Sequence, residues 1–164
     1  MAESRGFEAV SLRVGMVYGK DILMIEGARQ FARRHLLGVW KQPTHIHLIS
    51  TPDFLRATAA AVVKDNVSGI YHLGDDGAQT LQEFLNAACV HWGLAKPWVM
   101  PLWLILIAAR IFEMGSRLFG IRSPLTRDFV RIGTVSYYGD TRRMKQDLLP
   151  VLQYPTYKDG ISTL

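Results

Sequence analysis

Residues 7–19 read FEAVSLRVGMVYG, and this stretch determines the fold assignment of the chain. The apolar side chains of Phe7, Leu12 and Val14 have the spacing of a mostly buried strand. The strand ends in two glycines four residues apart, Gly15 and Gly19. Because glycine allows a close approach that other residues prevent, we expect a sharp turn here, at a point where another group comes near the backbone.

The segments that follow alternate between strand and helix patterns. Apolar runs predict strands at residues 45–50 (HIHLIS) and 69–74 (GIYHLG), and helical spacing predicts helices over residues 22–39 and 52–64. We expect Gly38 to end the first of these helices. Strands that alternate with helices in this way are typical of α/β proteins.

Capping residues mark the helices further along the chain. Thr51 is expected to cap the helix that Pro52 opens, and Thr80 with Glu83 has the spacing of a capping box. Additional helices are predicted over residues 81–92, 102–119 and 127–132. The last third of the chain is therefore expected to be mainly helical.

Composition excludes several classes of protein. The 164 residues are 49% hydrophobic and 20% charged, which excludes disordered and collagen-like chains. The single cysteine, Cys89, excludes a disulfide scaffold and fits a reducing, cytoplasmic setting. Cys89 falls inside a predicted helix at a buried position, which argues against a nucleophilic role. Residues 1–19 lack the pattern of a secretory signal.

The excess positive charge is confined to the last third of the chain. Residues 1–95 carry nine bases and nine acids, whereas residues 96–164 carry ten bases and five acids. An isoelectric point near 9.6 permits attraction to phosphate. The bases are spread over several predicted helices without a motif that reads nucleic acid, so we expect no nucleic-acid partner.

The longest uncharged apolar run is PWVMPLWLILIAA, residues 97–109. A helix needs about 20 apolar residues to cross a bilayer, so this run cannot span a membrane by itself. Three alternatives stay open for the helix it predicts. It can be buried in a core or interface, it can cover an apolar substrate, or it can lie in a membrane interface beside Arg110, Arg117 and Arg122.

Five motifs then occur in an order that resembles one known family. They are LRVGMVYG (12–19), DFLRA (53–57), GIYHLG followed by TLQE (69–83), DTRR (140–143) and DGISTL (159–164). The order is similar to the C-terminal half of an extended short-chain dehydrogenase/reductase, of the NAD(P)-dependent epimerase/dehydratase or hydroxysteroid-dehydrogenase-like type. The resemblance implies an α/β fold in which residues 1–164 form a single domain: a partial Rossmann-like sheet of few strands with a helical C-terminal substrate-binding part.

The motifs that hold the dinucleotide in this family lie upstream of the Leu-Arg strand and do not occur here. Pyrophosphate needs backbone N–H groups reached through closely spaced glycines, and the 164 residues contain neither G-x-G-x-x-G nor G-x-x-G-x-x-G. The catalytic Ser or Thr and the Tyr-x-x-x-Lys pair are expected to be missing as well, so no catalytic residue is assigned. The resemblance implies NAD or NADP for a complete family member, and we expect none to bind this chain alone.

The resemblance also assigns site residues to the segment after the first strand. In the family this segment passes the nicotinamide end of the cofactor and one wall of the substrate pocket. It implies Gly15, Met16 and Val17 as cofactor-binding residues and Tyr18 as a substrate-binding residue. Trp103, in the apolar helix, is a second substrate-binding candidate. The alternative is that the glycines only permit the bend and that Val17 belongs to the core.

Two departures from the family pattern bear on the substrate. Many members that act on nucleotide sugars have Arg where this chain has Ile46, and His where it has Ser50. The resemblance therefore implies an apolar or small alcohol or ketone rather than a nucleotide sugar.

Two letter patterns are rejected as sites. Tyr154 and Lys158 match Tyr-x-x-x-Lys, but Pro155 opposes the helical turn that would bring the ammonium beneath the phenol. His45 and His47 are two residues apart and would face the same side of a strand, as in some metal sites. No third ligand is near in the sequence, so we expect no metal site.

These observations lead to one expected function and one alternative. The chain is expected to be the substrate-binding portion of an NAD(P)-dependent oxidoreductase or epimerase that transfers hydride at a carbon bearing oxygen, and to be inactive in isolation. The alternative is a non-catalytic module that binds a small apolar ligand or a membrane surface from the cytoplasmic side. Expected partners are a second copy of the chain or a separately encoded N-terminal half.

Overall fold

The computed structural model describes residues 9–120 and 126–164. Strands and helices alternate within these ranges, so the predicted α/β fold class is confirmed. The elements in chain order are β1 (Val10–Val14), β2 (Met16–Tyr18), α1 (Leu23–Arg33), β3 (Gly38–Trp40), β4 (His45–Ile46), β5 (Leu48–Ser50), α2 (Thr51–Val63), β6 (Gly69–Leu73), β7 (Gln79–Thr80), α3 (Leu81–His91), β8 (Trp98–Met100), α4 (Leu102–Phe119), α5 (Arg127–Gly133), α6 (Arg142–Asp147) and α7 (Tyr157–Gly160), followed by a 3-10 helix (Ile161–Thr163).

The described chain divides into two compact units, each assembled from separate segments. Unit 1 takes the described residues of Met1–Ile22, Ile46–Ala78 and Tyr137–Leu164, and unit 2 takes those of Leu23–His45 and Gln79–Ser136. All four tryptophans of the sequence lie in unit 2. The interpretation of residues 1–164 as one domain stays a prediction.

Unit 1 is built on two pairs of parallel strands. β1 pairs with β6, from Val10 opposite Gly69 to Val14 opposite Leu73. β2 pairs with β5, and Tyr18 lies opposite Ser50 at the end of that pair. Fully buried apolar side chains from strands and helices form the core of this unit, among them Ile49, Ala57, Tyr71, Leu73 and Met144.

β1 and β2 are separated by a single residue, Gly15, where the chain changes partner from β6 to β5. The prediction of a sharp turn from Gly15 to Gly19 is wrong, because Met16–Tyr18 continues as a strand. The backbone N–H of Met16 donates to the carbonyl of His47 at 2.8 Å, and this hydrogen bond starts the new pairing. The chain therefore changes strand partner at Gly15, and it bends only at Gly19, after β2 has ended.

α2 begins one residue earlier than predicted. Ser50, rather than Thr51, is the N-cap, because its Oγ accepts a hydrogen bond from the backbone N–H of Asp53 at 3.2 Å. The Thr51 hydroxyl instead donates to the carbonyl of Tyr18 at 3.0 Å, which ties the start of α2 to the end of β2.

Asp53 is fully buried at the first turn of α2. Its carboxylate accepts backbone N–H groups from Gln153 at 2.8 Å and from Tyr154 at 3.0 Å. It also accepts the Ser50 hydroxyl at 2.8 Å and one arm of the Arg56 guanidinium at 3.0 Å. A buried charge needs such partners, so Asp53 fixes the C-terminal segment of unit 1 against α2.

Unit 2 contains a pair of parallel strands that the sequence did not reveal. β3 pairs with β8, with Val39 opposite Val99. The helix predicted over residues 22–39 is shorter in the structure. α1 ends at Arg33, because His35 soon after it adopts a left-handed φ of 56°. The N–H of Leu36 then donates to the Phe31 carbonyl at 2.8 Å, an ending that glycine usually provides. Gly38 consequently begins β3 and does not end a helix.

The later helices of unit 2 follow the predictions. The capping box is confirmed, since the Thr80 N–H donates to Glu83 Oε2 at 2.8 Å and the Glu83 N–H donates to Thr80 Oγ1 at 3.2 Å. Cys89 is fully buried in α3, as expected. α4 ends at Gly120, which has a φ of 66°. Among the described residues, no helix combines the length and the hydropathy that a bilayer crossing requires.

Candidate functional site

The carboxyl ends of β1 and β6 lie beside Gly15 and Gly74, next to His47 at the amino ends of β2 and β5. β1 ends at Val14 directly opposite Leu73, the last residue of β6. His47 lies between β4 and β5, at the level where β2 begins. Ligands of open α/β sheets bind outside the carboxyl ends of the strands. This edge of unit 1 is therefore the candidate site.

His47 occupies the centre of this edge and is only 1% exposed. Its Nδ1 accepts the backbone N–H of Gly139 at 3.2 Å, so the proton of the neutral ring is on Nε2, which lies 3.0 Å from the carbonyl oxygen of Asp75. The ring stacks on Tyr138 with centroids 4.2 Å apart. Burial lowers the pKa of His47, which keeps the ring neutral. Its two nitrogens are both engaged, so His47 positions the surrounding backbone.

The glycines beside His47 are required by its proximity. A Cβ at Gly15 would overlap the His47 carbonyl oxygen and lie 3.1 Å from the carbonyl carbon. A Cβ at Gly74 would overlap the imidazole ring itself. The close approach predicted at Gly15 is thus confirmed, and the group that approaches is the backbone of His47.

A second histidine and tyrosine pair lies at the same edge, on the exposed side. Nδ1 of His72 lies 2.9 Å from the hydroxyl of Tyr137, and their rings are 6.3 Å apart at 29°. The ring nitrogen and the phenol are within hydrogen-bond distance, and both side chains are partly exposed. Sequence reasoning missed both pairs; the available signal was the sequence Tyr137-Tyr138-Gly139, in which two aromatic residues precede a glycine.

The three residues predicted to bind cofactor have different environments. Gly15 is exposed and Met16 is half-buried, but the N–H of Met16 is already used by the His47 carbonyl. Val17 packs against the core of unit 1, as the alternative interpretation expected. Gly15 and Met16 can therefore offer a surface to a ligand, whereas their backbone offers no free donor at Met16. Their role in cofactor binding stays a prediction.

The two residues predicted to bind substrate lie in different units. Tyr18 is fully buried in unit 1, and its hydroxyl donates to the Thr156 carbonyl at 3.4 Å. Burial raises the pKa of Tyr18, so the phenol stays protonated. Trp103 is 59% exposed on α4 in unit 2. Substrate binding by Tyr18 and Trp103 stays a prediction, and for Tyr18 it requires the side chain to leave this buried position.

The two histidines predicted to share one side of a strand lie in different environments. His45 is exposed and His47 is buried, and the predicted strand is interrupted at His47. That the two rings face the same side stays a prediction. In the ranges 9–120 and 126–164, no three His, Cys, Asp or Glu side chains gather as a metal site needs.

Tyr154 and Lys158 do not form the helical pair that the letters suggest. Lys158 lies in α7, which begins at Tyr157, and Tyr154 precedes that helix. The backbone N–H of Tyr154 is held by the carboxylate of Asp53. The rejection of this pair on helical geometry is confirmed.

A nicotinamide dinucleotide fits this edge only in part. Exposed Gly15 leaves room beside the strand end, and half-buried Met16 supplies an apolar surface for a flat ring. The sequence supplies no glycine-rich loop for the pyrophosphate, which is the charged part of the cofactor. The residues present can therefore form one wall beside the nicotinamide ring. They do not supply the glycine-rich loop that would hold the phosphates of the dinucleotide.

Comparisons with known proteins concern the fold of the chain. No protein-family model and no curated protein sequence matches the chain. Solved structures do match: the human epimerase family protein SDR39U1 (isoform 2) with NADPH has a TM-score of 0.71 at 14% identity, covering 93% of this chain and 46% of that one.

Two bacterial structures show the same likeness. UDP-glucuronic acid 4-epimerase from Bacillus cereus, in complex with UDP-glucuronic acid and NAD, has a TM-score of 0.63 at 14% identity, covering 98% of this chain and 45% of that one. RMD from Pseudomonas aeruginosa, complexed with NADPH, has a TM-score of 0.61 at 13% identity, covering 99% and 48%. The chain spans about half the length of the structures it matches. The predicted resemblance is confirmed at the level of the fold: the chain has the fold of about half of an NAD(P)-dependent epimerase-type structure.

Proposed function

We propose that this chain is the substrate-side portion of an NAD(P)-dependent oxidoreductase or epimerase, acting on an apolar alcohol or ketone and inactive in isolation. The observation that carries the proposal is the fold, which matches about half of structures that hold NADPH or NAD. The motif order of the sequence supports the same assignment.

The residues at the carboxyl edge of unit 1 would bind and orient rather than react. The cofactor, when bound, accepts or donates a hydride at its nicotinamide ring. The exposed backbone of Gly15 would lie against that ring. Met16 would face the substrate with an unbranched, polarizable side chain that adapts to apolar shapes. His47 would hold both residues in place through its carbonyl contact with the Met16 N–H.

The proposed substrate class rests on two positions, Ile46 and Ser50, that offer no free polar group to a phosphate. Ser50 caps α2 and donates to Asp53, so its hydroxyl is already engaged. Ile46, at the position where nucleotide-sugar members have a basic residue, is apolar. The phosphates of a nucleotide sugar would therefore meet neither the arginine nor the histidine that those members have at these two positions. This difference supports an apolar alcohol or ketone as the substrate.

The proposed partner is a separately encoded N-terminal half, with a second copy of this chain as the alternative. Among the described residues, the β1–β6 and β2–β5 sheets have two strands each. Sheets this small usually gain stability from further strands, and their edges can accept them. An N-terminal half would add such strands together with the phosphate cradle.

The first experiment measures cofactor binding to the purified chain. We expect calorimetric titration with NADPH and with NAD to give no saturable heat, because the pyrophosphate has no cradle. Saturable binding of either cofactor would contradict the statement that the chain alone lacks this site. Size-exclusion chromatography with light scattering, run on the same sample, determines whether the chain is monomeric or self-associates.

The second experiment supplies the proposed partner. The product of the neighbouring upstream reading frame is co-expressed, provided that it encodes a Gly-rich loop and a Tyr-x-x-x-Lys pair. We expect a one-to-one complex that oxidises NADPH with apolar ketones. Met16→Gln should raise KM for these ketones, whereas Met24→Gln, at an exposed position of α1, should not. An upstream frame without those motifs, or equal effects of both substitutions, would contradict the proposal.

A further inference from the structure

α4 is apolar on two opposite faces. One face packs into unit 2, where Ile105 and Ala109 are buried against Trp40 and Val130. The opposite face is exposed, and its members recur at intervals of three or four residues, as expected for one side of a helix. We call it the outer face; it consists of Trp103 (59% exposed), Ile107 (49%), Ile111 (65%) and Met114 (59%).

The strand that precedes α4 also carries exposed apolar side chains. In β8, Trp98 is 63% exposed and Val99 is 68% exposed. The indole Nε1 of Trp98 donates to the His35 carbonyl at 3.1 Å, which restrains the ring. Together with Trp103, this segment presents two tryptophans, the side chain that is enriched where apolar and polar layers of a membrane meet.

Positive charge borders the outer face. Arg110 and Arg117 are seven residues apart on α4 and both are exposed; each follows a member of the outer face, Ile107 or Met114, by three residues. The only acid of α4, Glu113, is paired with Arg127 through a 2.9 Å contact from Nε and a 2.7 Å hydrogen bond from the backbone N–H. Arg117 also interacts electrostatically with Glu113, but its guanidinium is exposed and, like that of Arg110, can reach an external anion.

The charges around the outer face favour an anionic lipid surface over a second copy of the chain. A second copy placed on the outer face would bring four guanidiniums into one interface, while each Glu113 is already engaged by Arg127. An anionic lipid surface instead supplies negative charge at the rim and a hydrocarbon layer for the exposed apolar side chains. Since no described helix can cross a bilayer, α4 would lie parallel to the surface. We propose that the outer face of α4, with Trp98, docks on an anionic membrane surface.

The test is vesicle flotation of the full chain. Phosphatidylserine-rich vesicles and phosphatidylcholine vesicles are compared at low and at high salt. We expect flotation with the phosphatidylserine vesicles at low salt, a clear decrease at high salt, and little with phosphatidylcholine. Replacing Arg110 and Arg117 by Gln should lower the partition coefficient roughly fivefold for each charge removed. Arg13→Gln with Lys158→Gln changes the net charge equally on exposed residues of unit 1, and should have little effect.

A second pair of variants tests the apolar contribution. Ile107→Glu places a charge within the outer face and should abolish flotation, whereas Val62→Glu, at an 82% exposed position of α2, should not. Circular dichroism spectra and thermal midpoints of all variants confirm that they fold. Absence of flotation with phosphatidylserine vesicles, equal flotation with both lipids, or equal effects of the two Glu substitutions would overturn the proposal. A dimer that Ile107→Glu dissociates, without vesicle binding, would identify the outer face as a self-association surface and would also overturn it.

Discussion

Gly15→Ala places one methyl group where β1 passes to β2. The new Cβ would overlap the carbonyl oxygen of His47 and lie 3.2 Å from the His47 Cβ. Neither group can move away easily, because His47 is 1% exposed and its ring is held by Gly139 and Asp75. The strand end must therefore shift, and the hydrogen bond from the Met16 N–H to His47 is the contact that it loses.

The expected cost is the sum of two effects and one small gain. A donor left without its acceptor costs about 1 to 3 kcal/mol, and overpacking a tight site costs about 1 to 3 kcal/mol. The loss of unfolded-state freedom on replacing glycine returns about 0.4 to 1 kcal/mol. We therefore expect Gly15→Ala to lower the free energy of unfolding by about 3 kcal/mol. That is a large part of the stability of a typical domain.

The assay is urea denaturation followed by far-UV circular dichroism, which reports both units, and by tryptophan fluorescence, which reports unit 2. Gly27→Ala is the matched control, because Gly27 lies inside α1 with no atom within 4 Å of its new methyl group. That control should stabilise by about 1 kcal/mol. If Gly15→Ala proves no more destabilising than Gly27→Ala, the account of Gly15 as a close contact with His47 is refuted.

Three further predictions concern buried polar groups and a helix cap. Asp53→Ala should destabilise by about 4 kcal/mol because it leaves buried donors without an acceptor, whereas the exposed Asp65→Ala should stay within about 0.5 kcal/mol; urea denaturation measures both. Since burial lowers the pKa of His47 in the folded state, the unfolded chain binds that proton first. Stability should fall as the pH drops below 6.5, and His47→Gln should flatten this slope in thermal melts across pH. Thr80→Ala should cost about 1 kcal/mol by removing the cap of α3, and an unchanged thermal midpoint would contradict this.

The parts of the fold that could be predicted are those encoded within a few neighbouring residues. The capping box of Thr80 and Glu83 and the glycine that ends α4 act within one helical turn, so their sequence spacing was sufficient. β3 and β8 were missed because each has only three residues, and their pairing joins Gly38 to Trp98 across sixty positions of chain. The end of α1 was missed because His35 adopts a conformation that the sequence would suggest only for glycine or asparagine.

The candidate site was predicted in the same partial way. The glycine at position 15 indicated that some group comes near, but only the fold shows that this group is the carbonyl of His47. The different environments of His45 and His47 could not be predicted, because a two-residue alternation holds only while the strand is continuous. The contacts of His47 with Tyr138 and Gly139 depend on a segment ninety residues away, for which no local pattern exists.

Unit 1 is assembled from three separate segments of the chain, which affects how it folds during synthesis. Asp53 and His47 are synthesised well before their backbone donors at Gln153, Tyr154 and Gly139. Contacts between such distant positions close large loops and slow folding. Until those donors have been synthesised, both buried groups need water or a chaperone, so unit 1 is exposed to misfolding during that interval.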